Sequence, residues 1–243
     1  MPLAFRAIAG NTRAGSETGT TSLVVTKPAG TANGDAMVAV VAFANGTFNL
    51  PITPPAGWTS LGYQDGVDYT GRTQMFYKAA SGEGASYSFS FDGGGQYAIA
   101  ALIASYSGAA ASPIDAVGSQ RNAISTNETA PSVTPGAAGA MLVCCYGAEG
   151  VNASGPTSTP PAGMTERGDV SVVAQPANEY GGYLDIHVSL NDLLLASTSP
   201  TGVKTATISA ARENSGFSVL LRSAEAPPPP PPPASVVGLH MVI

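Results

Sequence analysis

Charged side chains are scarce in this chain: Asp, Glu, Lys and Arg make up 11% of its 243 residues, less than half of the roughly 25% usual in a globular protein. The formal net charge is −6 and no stretch gathers Lys and Arg. Contact with a nucleic-acid backbone needs a clustered positive footprint, so DNA and RNA are not expected partners. No apolar run approaches the ~20 residues that a bilayer-crossing helix requires, so no membrane span is expected. The opening Met1-Pro2-Leu3-Ala4-Phe5-Arg6 has neither the basic start nor the continuous apolar core of a secretion signal. Synthesis and folding in a cytoplasm are expected.

Reactive side chains are equally sparse. The two cysteines, Cys144 and Cys145, are adjacent within an apolar strand-like run. Neighbours on a strand point to opposite faces and do not normally bridge, so one buried thiol and one on the other face is the first reading, ahead of a vicinal disulfide or a metal pair. The two histidines are His187, on the polar side of the alternating Leu184-Asp185-Ile186-His187-Val188 with Asp185 and His187 facing outward, and His240 near the end of the sequence. With the cysteines in another strand, these do not make a zinc set. There is no Gly-x-Ser-x-Gly elbow and no phosphate-cradling Gly-Lys-Ser/Thr loop; Gly93-Gly94-Gly95 reads as a turn between strands. The acidic residues scatter over loops. Asp65 and Asp68 could share a calcium ion, and paired carboxylates can hydrolyse sugars, but no spacing singles out such a pair. The expectation is therefore no enzyme, no cofactor and no metal. Arg167-Gly168-Asp169 spells an integrin-type tripeptide and reads as chance.

What the sequence does contain is a duplication. Pro54-Pro55-Ala56-Gly57-Trp58-Thr59 returns as Pro160-Pro161-Ala162-Gly163-Met164-Thr165, and the apolar run Asp35 to Val40 returns as Ala140 to Cys145. Each half ends on an alternating run and then an apolar one: Tyr87 to Phe91 before Ala98 to Tyr106, and Thr205 to Ile208 before Phe217 to Leu221. Matching segments in matching order imply two similar β-halves, about 20–110 and 128–223, read as two halves of one sandwich. The 29 glycines and 20 prolines suit short strands with tight turns.

Strands are expected at Leu3–Ile8, Ser22–Thr26, Met37–Phe43, Thr59–Tyr63, Thr73–Lys78, Tyr87–Phe91 and Ala98–Tyr106. The second half adds Ser132–Thr134, Met141–Tyr146, Met164–Val173, Gly182–Ser189, Thr205–Ser209 and Phe217–Leu221. In Tyr87-Ser88-Phe89-Ser90-Phe91 the rings share one face and the serines the other, which marks a half-buried strand. A diproline withholds two amide donors and ends a strand, and the following Gly permits a tight turn. Trp58, the one tryptophan, reads as a plug at the end of the sandwich ahead of a ligand-stacking platform, since its repeat partner is Met164.

The expected organisation is therefore a β-sandwich over 1–223, a polyproline linker over 224–235, and an apolar docking tail over 236–243. Pro227 to Pro233 would form a stiff rod of ~22 Å. The tail residues Val236, Val237, Leu239, Met241, Val242 and Ile243 are the candidate docking set, since such a segment left exposed invites association, and strand addition to a sheet edge is one way to dock.

The order Gly34-Asp35, Val38-Ala39-Val40, Pro54 to Thr59, Phe76-Tyr77-Lys78-Ala79, Ala100-Ala101, Tyr106-Ser107-Gly108, Ala130 to Thr134, Pro160 to Arg167 and Thr205-Ala206-Thr207 resembles virion proteins of actinobacterial phages, usually labelled minor tail or structural proteins. The resemblance spans about residues 20–223. The chain departs from it at Gly139-Ala140, where the family commonly repeats Gly-Asp, and in the polyproline tail. The resemblance carries no catalytic residues. It implies a particle component, made in the host cytoplasm and located in the virion, either decorating the capsid or belonging to the tail. The fold expected is all-β, an antiparallel, jelly-roll-like sandwich, with other virion proteins as partners. A homo-oligomer is expected, a trimer by analogy of fold. A second reading is a carbohydrate-binding module gripping a host surface glycan through Tyr63, Tyr69 or Tyr180 as stacking platforms.

Overall fold

A computed structural model of the chain describes residues 2–14, 21–45, 50–66, 71–91, 98–151, 154–174 and 183–224. The expected tail residues Val236 to Ile243 and the linker beyond Ala224 lie outside them, as do Tyr69, Tyr180, Asp68 and Gly93 to Gly95. The described residues build an all-β protein of fourteen strands, with every strand pair antiparallel.

In the first half, β1 (Ala4–Ala14), β3 (Ala36–Ala44), β5 (Thr59–Asp65), β6 (Gly71–Ala79) and β8 (Ala98–Ser107) form a five-stranded sheet in the order β1-β8-β3-β6-β5, while β2 (Ser22–Thr26), β4 (Ile52–Thr53) and β7 (Ser86–Phe91) form a three-stranded sheet in the order β2-β7-β4. The alternation read in Tyr87 to Phe91 is realised: Tyr87, Phe89 and Phe91 are buried between these sheets with Phe43, Phe76, Ile99 and Ile103. Each large side chain so buried contributes roughly 1.5–3 kcal/mol. Odd–even interleaving of strands over two sheets is the jelly-roll plan, with β5 joined to the larger sheet.

The second half repeats this plan with two pairs of its strands each run together. Its strands are β9 (Ala109–Ala130), β10 (Met141–Gly150), β11 (Ser158–Thr159), β12 (Thr165–Ala174), β13 (Leu184–Leu194) and β14 (Lys204–Ser223), hydrogen-bonded as β11-β14-β10-β13-β12 with β9 along β14. The register of β9 on β14 breaks between Thr207 and Arg212. Before the break β14 pairs with β11 and the end of β9; after it, with β10 and the start of β9. Ala206 and Ala130 from before the break pack on Leu142, Cys144, Tyr146 and Leu220, the face of the larger layer turned away from the first half. The start of β14 thus stands for β7 and its end for β8; β9 likewise stands for β1 and β2. Even the irregularity between Ser60 and Gly62 returns between Glu166 and Gly168.

Each half is therefore a sandwich in itself, where the repeat had suggested two halves of one sandwich, and the two large layers pack against each other. Their seam is the largest apolar core, joining Val38, Val40, Leu102 and Tyr106 of the first half to Val143, Cys145, Val188, Leu190, Phe217 and Val219 of the second. Covering both faces explains why β3 and β10 are buried end to end, and why Cys144 and Cys145 are both buried free thiols on opposite faces. Burial pushes the Cys144 thiol up to about 12, which makes it a poor nucleophile.

The sequence reading missed one long element and misplaced another. Ala109–Ala130 is β9, 22 residues rich in Ser, Asn, Gln and Thr. A polar edge strand shows little of the apolar alternation that identifies strands. The expected strand Ser132–Thr134 is not one; Val133 instead donates its N–H to Thr201 Oγ1 (3.0 Å) and accepts at its carbonyl from Thr201 N–H (2.9 Å). The repeated Pro-Pro-Ala-Gly is a turn in both halves. Gly57 (φ 84°) and Gly163 (φ 78°) take the left-handed conformation that L side chains resist. Trp58 and Met164 donate back to the carbonyls of Pro55 and Pro161 and are buried. Trp58 packs edge-on against Tyr87 and Phe89, the plug expected of it.

Candidate functional site

The shared strand plan sets each residue of one half opposite a counterpart in the other. Leu23 faces Phe89 across β2 and β7, and at the same place Glu128 faces Ala206. Phe76 sits opposite Ala39, and Asn191 opposite Cys144. Phe43 with Ile99 becomes Ala148 with Asn214, and Ile103 becomes Ser218. Large apolar groups of the first interior are thus replaced by polar or small ones in the second. Arg72 becomes His187, which is fully buried. The alternation of β13 was read correctly but its polar side does not face solvent: Asp185, His187, Ser189 and Asn191 point into the second sandwich, all with no exposed area. The cause is the small second layer of this half, which covers the face that a single sandwich would leave open.

The polar interior has two parts. Arg212 Nε lies 2.8 Å from Asp185 Oδ1, both almost wholly buried, and Arg212 Nη2 donates to the Ser154 carbonyl at 3.2 Å. Nearby, His187 Nε2 lies 3.4 Å from Asp169 Oδ2 and its Nδ1 lies 4.0 Å from Glu128 Oε1. Burial pushes the Glu128 carboxyl up to about 7; His187 works against that rise and Asp169 adds to it. Burial also acts upward on Asp169, but His187 and the Ser158 N–H, which donates to Oδ2 at 2.6 Å, outweigh it and hold this carboxyl below its ordinary value. Both carboxyl oxygens of Glu128, both ring nitrogens of His187, and the polar side-chain atoms of Ser189 and Asn191 meet no hydrogen-bond partner of good geometry. Such a set can hold a proton and order water. Ser189 Oγ makes no hydrogen bond to His187, so this serine is not activated for attack. Among the described residues no group of three or more His, Cys, Asp or Glu is arranged to hold a metal ion.

At the surface, an open cleft lies beside the end of β14. Ser112, Asp115, Gly136, Ala138, Ala140 and Arg222 line it. Asp115 accepts from Gly136 N–H at 2.6 Å, Arg222 Nη2 donates to the Ser112 carbonyl at 2.8 Å, and Ala224 N–H donates to the Gly108 carbonyl at 2.8 Å. The last described residues are thus fastened beside this cleft.

Of the expected glycan contacts, Tyr63 is half-exposed on β5 and its ring lies 3.9 Å from the Arg72 guanidinium, which covers one face. Asp65 pairs with Arg72 at 2.7 Å. In Arg167-Gly168-Asp169 each charged end is engaged inside the protein: Arg167 Nε lies 2.8 Å from Asp192 Oδ2 and Asp169 joins His187. Asp35 of Gly34-Asp35 binds Arg6 at 2.6 Å and accepts from Ala32 N–H at 2.8 Å; its counterpart Ala140 has no such group to offer. Glu128 was not among the sequence candidates. Setting the repeats against each other, Glu128 against Leu23, would have shown an acid at a core position. No family model matches the chain, nor does any curated protein or solved structure. Among the described residues no helix is long and apolar enough to cross a membrane.

Proposed function

We propose that the protein is a structural component of a phage particle, a minor tail or capsid decoration protein, whose body is displayed on the virion and anchored by its C-terminal segment. The observation that carries the reading is the duplicated jelly roll, packed through its two large layers into one body. Jelly rolls recur in viral capsid proteins and in lectins. Fold alone does not assign function; the sequence resemblance described above adds a particle role on separate grounds. Glu128, Asp185, His187 and Arg212 are buried, which suits an architectural body better than a site that admits substrate.

The test is incorporation. Particles produced with a chain lacking residues 236–243 should contain the protein at a small fraction of the normal occupancy, while the truncated protein itself unfolds at the same temperature as the full chain. Full occupancy of the truncated protein would refute the anchor, and absence of the intact protein from purified particles would refute the virion role. A pull-down on host cell wall separates the carbohydrate-binding reading: retention lost on Tyr63→Ala would favour adhesion over a purely architectural part.

A further inference from the structure

A second ionisable cluster lies in the seam between the halves. Asp65 and Arg72 come from the turn end of the β5–β6 hairpin in the first half. Arg121, Glu149 and Glu213 come from β9, β10 and β14 in the second. Arg72 Nε is 2.7 Å from Asp65 Oδ1, and Arg121 Nε is 2.6 Å from Glu213 Oε1. Glu149 has no matching cation. It is 7% exposed and its Oε2 has no hydrogen-bond partner. Its carboxyl lies against the backbone of Gly66 and Gly71, where a Cβ would overlap it, and Gly66 N–H closes that hairpin on the Gly71 carbonyl at 2.9 Å. The uncharged Gln64, Thr73, Gly147, Asn214 and Ser215 complete the enclosure.

Asp65 is paired with Arg72 and Glu213 with Arg121, which leaves the Glu149 carboxyl without a cation, so this set is neutral only with one proton added. An uncompensated buried charge is strongly unfavourable, and the carboxyl without a cation is the one to carry the proton. We propose that the two jelly rolls are clamped by a proton on Glu149: the seam is tight while this carboxyl is neutral and loosens when it ionises against Asp65 and Glu213. The direction of its titration agrees. Burial first, then Glu213 and Asp65, push the Glu149 carboxyl up to about 8, with Arg121 opposing. A carboxyl raised in the folded state stabilises fully below its ordinary value near 4.5, and that stability is lost as pH rises through about 8. The clamp is therefore closed in mild acid and at neutrality, and opens in base.

The test uses the full chain, with thermal unfolding and amide exchange followed from pH 6 to pH 9.5. The wild-type melting temperature should fall by about 5 °C across that range, with exchange rising in residues 71–75 and 147–150. Glu149→Gln, which is neutral at every pH, should remove most of the fall above pH 7. Glu128→Gln should leave that part intact, because the Glu128 window closes near pH 7. An unchanged slope in Glu149→Gln would overturn the proposal. Should that variant fail to fold, the carboxyl carbon of Glu149 in the wild-type protein decides by NMR: a midpoint near 8 supports the clamp, and one in the ordinary carboxylate range refutes it.

Discussion

In the first half Leu23, Phe76 and Phe89 meet in a dry interior; the same places in the second half hold Glu128, Asn191 and Ala206. The strand plan is common to both, so it does not depend on either filling. What it depends on is the larger layer of each half being apolar on the face turned to the other. Val143, Cys145, Val188, Leu190, Phe217 and Val219 supply that face in the second half, and their burial sustains a sandwich whose own interior is half polar. The first half has a large apolar interior of its own as well as the seam. The second has a smaller apolar cluster around Leu142, Tyr146 and Leu220 and leans more on the seam.

The comparison can be broken most sharply by removing a core ring. Phe89→Ala should destabilise the protein by about 3–5 kcal/mol in chemical denaturation, since a large cavity would be left in the apolar interior. Ala206→Gly, at the matching place in the second half, should cost about 1 kcal/mol or less. Similar losses at both sites would show that the interiors are alike in packing. Next in size is Arg212→Ala, which removes the cation 2.8 Å from the buried Asp185; a loss of about 3 kcal/mol is expected, and calorimetry showing no change would mean that the pair is hydrated.

A third variant makes the second interior resemble the first. Glu128→Leu imports the residue found at position 23. The protonated Glu128 stabilises fully below pH 4.5 and that contribution is lost as pH rises through about 7. The leucine should therefore raise stability at pH 8 by about 2 kcal/mol while changing little at pH 5. A gain of equal size at both pH values would show that packing, not ionisation, sets the difference. The smallest effect is expected at the surface, where Tyr63→Ala removes only the stacking under Arg72, about 0.5–1 kcal/mol.

Much of this was legible in the sequence because it is written in local signals. Tyr87 to Phe91 declares its faces by alternation, and Pro-Pro-Ala-Gly declares its turn through residues that fix φ and permit positive φ. The duplication followed from the repetition of such signals, so the all-β class and the two similar halves were within reach. Ala109–Ala130 was not, since a polar edge strand is held by pairing with β14 over residues far away in the chain. His187 was placed on the right side of its strand, yet whether that side meets water is decided by another layer.

The sequence by itself determined which segments extend, where they turn, and that the pattern occurs twice, because these depend on neighbours along the chain. Only the tertiary structure decided that each half closes on itself before packing on the other. That closure brings Glu128 and Asp169, separated by about forty residues of sequence, to the same buried imidazole, and sets Glu149 against a hairpin of the opposite half. Burial is a property of the space around a group. No local pattern carries it.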